Sequence, residues 1–333
     1  MKSFVPYLLF FSMLWSSGCV NSLRFTGVGD GSAGVAVSDR LFCMGSDEEN
    51  VLRFYTPEGG RALESFDLGT LFTLGGNSLE MDIEGAARIK GRTYWITSHS
   101  ANRKGKSRPN RRFLFALDIE DGPSGISCRA VGKPYCNLVE DLAGDPRYRS
   151  YNLEKAARQP PKQKTSLNIE ALSAGDNGSL LIGFRSPLPR EKALLVFLLN
   201  PEDLLQRGKK PRFSDPVLLD LGGSGIRGAC KRQAGGYWLL TGSPGKGGKS
   251  NLYFWDGKGS ARAIGLPSGI PGHITLETLF EVGEGEERCL WFFSDNRSSV
   301  SEKKRVKENK EGKTPSAEPF FNGFSIPCSE IRL

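Results

Sequence analysis

Histidine is nearly absent. His99 and His273 are the only two in 333 residues, and none of the seven cysteines stands at CxxC spacing, which argues against a zinc site built from imidazole and thiolate. No GxSxG occurs, so the nucleophile elbow of the α/β-hydrolases has no counterpart. Windows with apolar residues at helical spacing are scarce, and the apolar run near the N-terminus is too short to span a bilayer. What is present is a succession of short apolar runs bounded by Gly, Pro, Asn and Asp. With 41 glycines, 25% charged and 38% apolar residues, the chain reads as globular and mostly β, long enough to bury a sizeable core.

The opening MKSFVPYLLFFSMLWSSGCV has a Lys, an apolar run and then small residues, the pattern of a secretory signal. Residues 1–21 are therefore expected to be a signal peptide and residues 22–333 one exported domain, in the periplasm or cell envelope. Ser16-Ser17-Gly18-Cys19 resembles the lipobox of bacterial lipoproteins, with Ser16 where Leu is preferred, so lipidation of Cys19 and ordinary cleavage both stay open. Beyond Cys19 an even set remains: Cys43, Cys128, Cys136, Cys230, Cys289 and Cys328. Because Cys128 and Cys136 flank the hairpin-like RAVGKPY, they are the expected disulfide.

Two stretches are drafts of one phrase, MDIEGAARIKGRTYWITSHS (Met81 to Ser100) and LNIEALSAGDNGSLLIGFRS (Leu167 to Ser186). Each puts a Glu after an Ile, then small residues, a Gly-containing turn and a second apolar run, which is two strands joined by a hairpin. With Glu84 and Glu170 as rulers, further copies appear. Gly225 to Ser243 carries Arg227 in the Glu position, Thr275 to Asp295 restores the acid as Glu277, and Ser32 to Glu48 keeps the rhythm without it.

A third short strand follows each copy, starting near Glu49, Arg111, Lys192, Ser250 and Pro319, and a fourth follows the first four copies, near Ala62, Ser124, Pro216 and Ala261. The last copy runs out of chain, and SLRFTGV (Ser22 to Val28) can supply its missing strand. Repeats of four strands closed by a terminal strand predict a β-propeller of five blades, without the free edges that invite aggregation. Six blades is the alternative, since the second unit is much longer than its neighbours. Its excess from Asn137 is helix-forming and broken by Asp-Pro and Pro-Pro, so it predicts a helical insertion, and NPEDLLQRG from Asn200 predicts one more helical turn with a Gly stop.

The set DEENVLRFY, DIEGAA, SHS before a basic stretch, NIEALS, GFRSP and GIRG resembles the bacterial domain-of-unknown-function family 3616, itself similar to the esterase-like phytase propellers. The resemblance runs from about Ser32 to Ile326. It implies a secreted propeller and brings no settled reaction.

In a propeller the first strand of each blade lines the central channel, and the chain enters it on the rim where the second strand ends. Glu84, Glu170, Arg227 and Glu277 are thus expected at the channel, with Asp47, His99, Arg185, Ser243 and Asp295 on the same rim. A functional reading makes Glu84, Glu170 and Glu277 ligands of a hard cation such as calcium, Glu84, Arg185, Arg227 and Ser243 ligand-binding groups, and His99 and Asp295 catalytic. A structural reading makes the repeated glutamates hydrogen-bond acceptors that tie blades together, with Arg227 compensating the charge. Both stay open. Trp238, Trp255 and Trp291 stand at strand positions and are expected in the core.

Formal net charge is +8, gathered in NRKGKSRPNRR from Asn102, RGKKPR from Arg207 and EKKRVKENKEGK from Glu302. The first leaves the second strand beside His99, where a basic lip would attract an acidic or phosphorylated ligand. No aromatic stacking motif adjoins these residues, so nucleic acid is not expected as a partner. A membrane is expected only through the lipid anchor, and the chain as a monomer. Gly29 to Gly34 fits GxGxxG but leads into a strand, and Gly242 to Ser250 resembles a phosphate loop between two strands, so no nucleotide cofactor is expected. Two functions follow from this reading: an exported propeller that binds a small anionic ligand at its channel rim, and a calcium-dependent phosphoester hydrolase.

Overall fold

The computed structural model describes residues 20–72, 80–245, 248–296 and 318–333. Cys19, the leader segment before it and the basic run from Glu302 lie outside the described residues. Five antiparallel sheets follow one another along the chain and form a five-bladed propeller. Blade one contains Ala33–Ala36, Phe42–Gly45, Val51–Tyr55 and Glu64–Asp67, and blade two Ile83–Ile89, Arg92–Thr97, Leu114–Gly122 and Gly125–Tyr135. Blade three contains Asn168–Ala174, Leu180–Ser186, Ala193–Leu198 and Val217–Leu219, and blade four Gly225–Lys231, Tyr237–Gly242, Asn251–Trp255 and Arg262–Ala263.

Blade five takes Thr275–Val282, Cys289–Asp295 and Phe320–Pro327 from the end of the chain and Asn21–Thr26 from its beginning. The two termini pair antiparallel from Asn21 opposite Ser325 to Thr26 opposite Phe320. Closure by the N-terminal strand thus gives every blade its fourth strand. Gly60–Arg61 adds a short parallel strand at the outside of the same sheet.

The apolar residues do not form one central core. They gather in five clusters, each between adjacent blades, because each sheet buries both faces and the axis is left to polar side chains. At the closing junction Phe25 stacks on Phe321 with ring centroids 5.2 Å apart and meets Phe42 and Tyr55 edge-on. Trp238, Trp255 and Trp291 are all buried, as their strand positions require.

The excess in blade two is helical: Leu138–Gly144 and Leu153–Ala156 pack their leucines into the cluster between blades two and three. Pro201–Arg207 is the third α-helix among the described residues, and Gly208 ends it in the left-handed conformation at φ 62°. No helix among the described residues is long and apolar enough to cross a membrane.

The expected disulfide is not made. Cys128 and Cys136 are both free thiols. The segment between them is not a hairpin, because Gly125–Tyr135 continues as one strand beside Leu114–Gly122. At roughly 3.3 Å per residue the two cysteines stand on the order of 20 Å apart, far beyond the reach of a disulfide. Gly132, which suggested a turn, sits at φ 67° where the register shifts, and a Cβ there would fall 2.1 Å from the carbonyl oxygen of Leu205.

Candidate functional site

The ruler residues share one backbone device. In the first strands of blades two to five the register against the second strand shifts at Glu84, Glu170, Arg227 and Glu277, which are skipped in the ladder. A bulge of this kind adds one residue, twists the strand and re-aims a side chain. Behind the bulge the inner strands press together: a Cβ at Gly85 would lie 2.7 Å from the amide nitrogen of Leu172 in the next blade. The charged side chains are therefore held where neighbouring blades meet at the axis.

Glu84, Glu170 and Glu277 open into a cavity of about 810 Å³ at the channel mouth, floored by carboxylates and bordered by cations. Glu84, Glu170, Arg185, Glu277, Asp47 and Asp295 line it together, as the repeat phase predicts. Among the described residues Arg227, Ser243 and His99 do not line it. Arg227 is buried behind Glu277 and bonded to that carboxylate. Ser243 serves through its backbone, its carbonyl accepting from Arg185 Nε at 2.9 Å.

Two of the three glutamates are compensated. Glu170 accepts from Arg185 Nη1 at 2.5 Å and from Asn168 Nδ2 at 2.7 Å, both on Oε1. Glu277 accepts from Arg227 on Oε2. The remaining oxygens, Glu170 Oε2 and Glu277 Oε1, together with Asn168 Oδ1, are buried and find no hydrogen-bond partner among the described residues. All three side chains are deeply buried, with 3%, 6% and 7% exposure for Glu170, Glu277 and Asn168. Burial raises Glu277 to about 7 against the lowering pull of Arg227.

Glu84 is different. No ion pair reaches it among the described residues, and burial together with the charges of Glu170, Asp82 and Asp47 pushes its carboxyl well above the usual range. Its nearest acidic neighbours form a group: one ligand oxygen each from Asp47, Asp82 and Glu84 lies within 4.8 Å of the others. That is the hard-oxygen set a divalent cation takes, and it differs from the trio of glutamates expected from sequence, of which it keeps only Glu84. Glu170 and Glu277 already face guanidinium groups.

Asp82 was passed over in the sequence, although it stands two positions before Glu84 as Asn168 stands two before Glu170. It sits at φ 61°, a conformation that Asp tolerates better than most residues. Its Oδ2 accepts from Ser98 and from Ser100 Oγ at 3.3 Å, and it forms an ion pair with Arg111 Nη1 at 2.9 Å. Burial raises Asp82 to about 6, with Arg111 and Ser98 opposing. Asp30, also unforeseen, is bonded to Ser32 and raised well above its ordinary range by burial and by Asp47.

The lip is ordered by Asn102, whose Oδ1 accepts from the amides of Lys104 at 2.9 Å and Lys106 at 3.0 Å. Arg103, Lys104, Lys106 and Arg108 border the cavity on this loop, and Lys162 joins them from the helical insertion.

His99 turns away. At 2% exposure and φ 54° it donates from Nδ1 to the Thr97 carbonyl at 2.8 Å, and Nε2 has no partner among the described residues. It faces a separate cavity of about 260 Å³ lined with Arg112, Glu140 and Glu154. Burial lowers its pKa to about 4, so at neutral pH it is an uncharged ring outside the carboxylate cavity.

No curated protein matches the sequence. Among solved structures, the chain is similar to the glutaminyl cyclase of Myxococcus xanthus, with TM-score 0.45 and 12% identity over 92% of this chain and 97% of that one. It is also similar to the major Malassezia sympodialis allergen Mala s 1, with TM-score 0.39 and 10% identity over 90% and 78%. A third likeness is to virginiamycin B lyase from Staphylococcus aureus, with TM-score 0.37 and 8% identity over 92% and 99%. Residues 30–113, which hold Asp30, Asp47, Asp82 and Glu84, match the model of the family described as "Protein of unknown function (DUF3616)".

Proposed function

We propose that this propeller binds a small anionic ligand at the mouth of its channel, between a divalent cation held by Asp47, Asp82 and Glu84 and the basic lip. One observation carries the reading: a single cavity combines a floor of carboxylates with a border of Arg and Lys. An acidic floor alone repels an anion, and a basic lip alone leaves the half-buried Glu84 without a counter-charge. A bound cation resolves both. Calcium suits the oxygen-only donor set and its loose spacing better than magnesium, which demands tighter octahedral geometry. The leader-like N-terminus adds an exported setting, in which calcium is plentiful.

Calorimetric titration of the purified protein with calcium chloride tests the cation, and titration with inorganic phosphate before and after calcium loading tests the anion. One calcium per chain and phosphate binding only to the loaded protein are the expected results. Failure of calcium to bind overturns the proposal. A second reading, hydrolysis of a phosphoester, draws on the cation group of Asp47, Asp82 and Glu84, where a bound divalent cation would polarise both a phosphoester oxygen and a water. Turnover of p-nitrophenyl phosphate in the loaded protein, lost in Asp82→Asn, would favour it over simple binding.

A further inference from the structure

The cation group already has a cation, and it belongs to the protein. Asp82 is ion-paired with Arg111 Nη1 at 2.9 Å, whereas no ion pair reaches Asp47 or Glu84 among the described residues. Arg111 lines the cavity, and its side chain is 15% exposed against 10% for Asp82, so the guanidinium sits within the site rather than over its rim. The same guanidinium has a second berth. Its Nη2 donates to Glu80 Oε1 at the cavity border, where the Glu80 side chain is 43% exposed, and Nη1 also donates to Ser100 Oγ at 3.2 Å. A divalent ion on Asp82 would stand beside this guanidinium on one carboxylate, in a half-buried place where like charges repel with little screening. Three carboxylates would hold the ion and only one of them holds Nη1, so the guanidinium is the one to move. Its backbone is fixed, because the Arg111 carbonyl accepts from His99 N at 2.7 Å and its amide donates to Arg108 O at 2.9 Å. Motion is therefore confined to the side chain, which can leave Asp82 and stay with Glu80.

Resting on the cation-and-anion reading above, we propose that Arg111 couples the two halves of the site. In the empty protein its guanidinium is the resident counter-ion of Asp82; a bound divalent cation displaces it, freeing Nη1 to donate to the anion while Nη2 keeps Glu80. Arg111 ends the loop that carries Lys104 and Lys106 along the cavity border, so a guanidinium turned away from Asp82 faces the space between the cation and the lip. The anion then meets a divalent ion and a guanidinium donor together, and only after the ion has entered.

Two opposite changes in one variant test this. Arg111→Gln removes the competing charge and keeps an amide on the side of Ser100. In calorimetry without an anion, calcium should bind the variant about three-fold tighter than the parent, and inorganic phosphate should bind the calcium-loaded variant about ten-fold more weakly. A residue that only orients Asp82 would give the reverse for calcium, since its loss loosens a ligand. Calcium affinity that falls or stays level overturns the coupling, and so does tighter calcium with unchanged phosphate. A second measurement needs no substitution. In NMR of the isotope-labelled parent, rotation of the Arg111 guanidinium about its Nε–Cζ bond should be slow in the empty protein, faster once calcium is bound, and slow again when phosphate is added. Rotation that calcium leaves slow overturns the proposal even where the variant does not fold. In that case calcium and phosphate still bind the parent, and the reading beneath the proposal stands. Failure of the parent to bind calcium overturns both.

Discussion

At the residue scale the buried charges divide into those with a partner and those without, and substitutions should separate them. Glu277 faces Arg227, and both are buried. Glu277→Ala leaves a guanidinium uncompensated, a loss of about 3–5 kcal/mol in urea unfolding. Glu84 has no ion-pair partner among the described residues and is surrounded by other acids. Glu84→Gln should leave stability unchanged or higher, while calcium affinity in calorimetry falls more than ten-fold. His99 gives a pH signature. Its pKa is about 4 in the folded protein and about 6.5 in an unfolded chain, so between those values the unfolded state binds a proton that the folded state refuses. Stability is then complete above about pH 6.5 and declines as the pH falls toward 4, by about 3 kcal/mol for this group. His99→Asn preserves the donor to Thr97 and tolerates φ 54°. Unfolding curves from pH 7 to about pH 4 should be flatter in that variant by the same amount, and equal slopes would assign the acid sensitivity elsewhere.

At the element scale the strands were legible because each blade repeats the same cues: alternating or continuous apolar runs, Gly-rich turns, and a marked residue after Ile or Leu. Even the closing strand could be inferred, since only Ser22 to Val28 was left to complete the last blade. The bulges were not legible. A bulge is a mismatch in pairing between two strands, and neither strand alone records it, so Glu84 and its equivalents could be placed at the axis without the reason they point there. Cys128 and Cys136 failed for a related reason: Gly132-Lys133-Pro134 carries turn residues but serves a register shift inside a long strand. Asp30 escaped because it precedes its strand on a loop outside the repeated phrase, and Asp82 because the equivalent position in the next copy is the uncharged Asn168. Two outcomes belong to this scale. Alkylation of the unreduced, denatured protein should modify both Cys128 and Cys136, and a disulfide-linked peptide would contradict the continuous strand. Phe25→Ala removes a fully buried ring from the closing junction and should cost about 3–5 kcal/mol, with protection of the Phe320–Pro327 amides in hydrogen exchange falling more than that of blade three.

For the whole molecule, ring closure converts five weakly similar repeats into one asymmetric site. Equivalent positions become Glu84, Glu170, Arg227 and Glu277 around the axis, so a single backbone device places three carboxylates in one cavity and an arginine behind one of them. The net charge of +8 hides this separation, because the negative floor is enclosed and the positive lip faces solvent. Salt should distinguish them. Exposed charges are screened within a Debye length of about 10 Å at 0.1 M salt, and buried ones much less. Lys104 and Lys106 stand on an exposed loop, held by the Asn102 side chain rather than by the cavity floor. Lys104→Glu with Lys106→Glu should slow association of an anionic probe with the calcium-loaded protein by about ten-fold at low salt, with dissociation and calcium affinity little changed. The difference from the parent should vanish as salt rises toward about 1 M, where screening reaches about 3 Å. Stopped-flow binding of a fluorescent phosphate ester at several salt concentrations reads both effects. If the double substitution changes dissociation instead, the lysines contact the bound ligand directly. If it changes neither rate, the lip does not guide the ligand, and the anion is recruited by the bound cation alone.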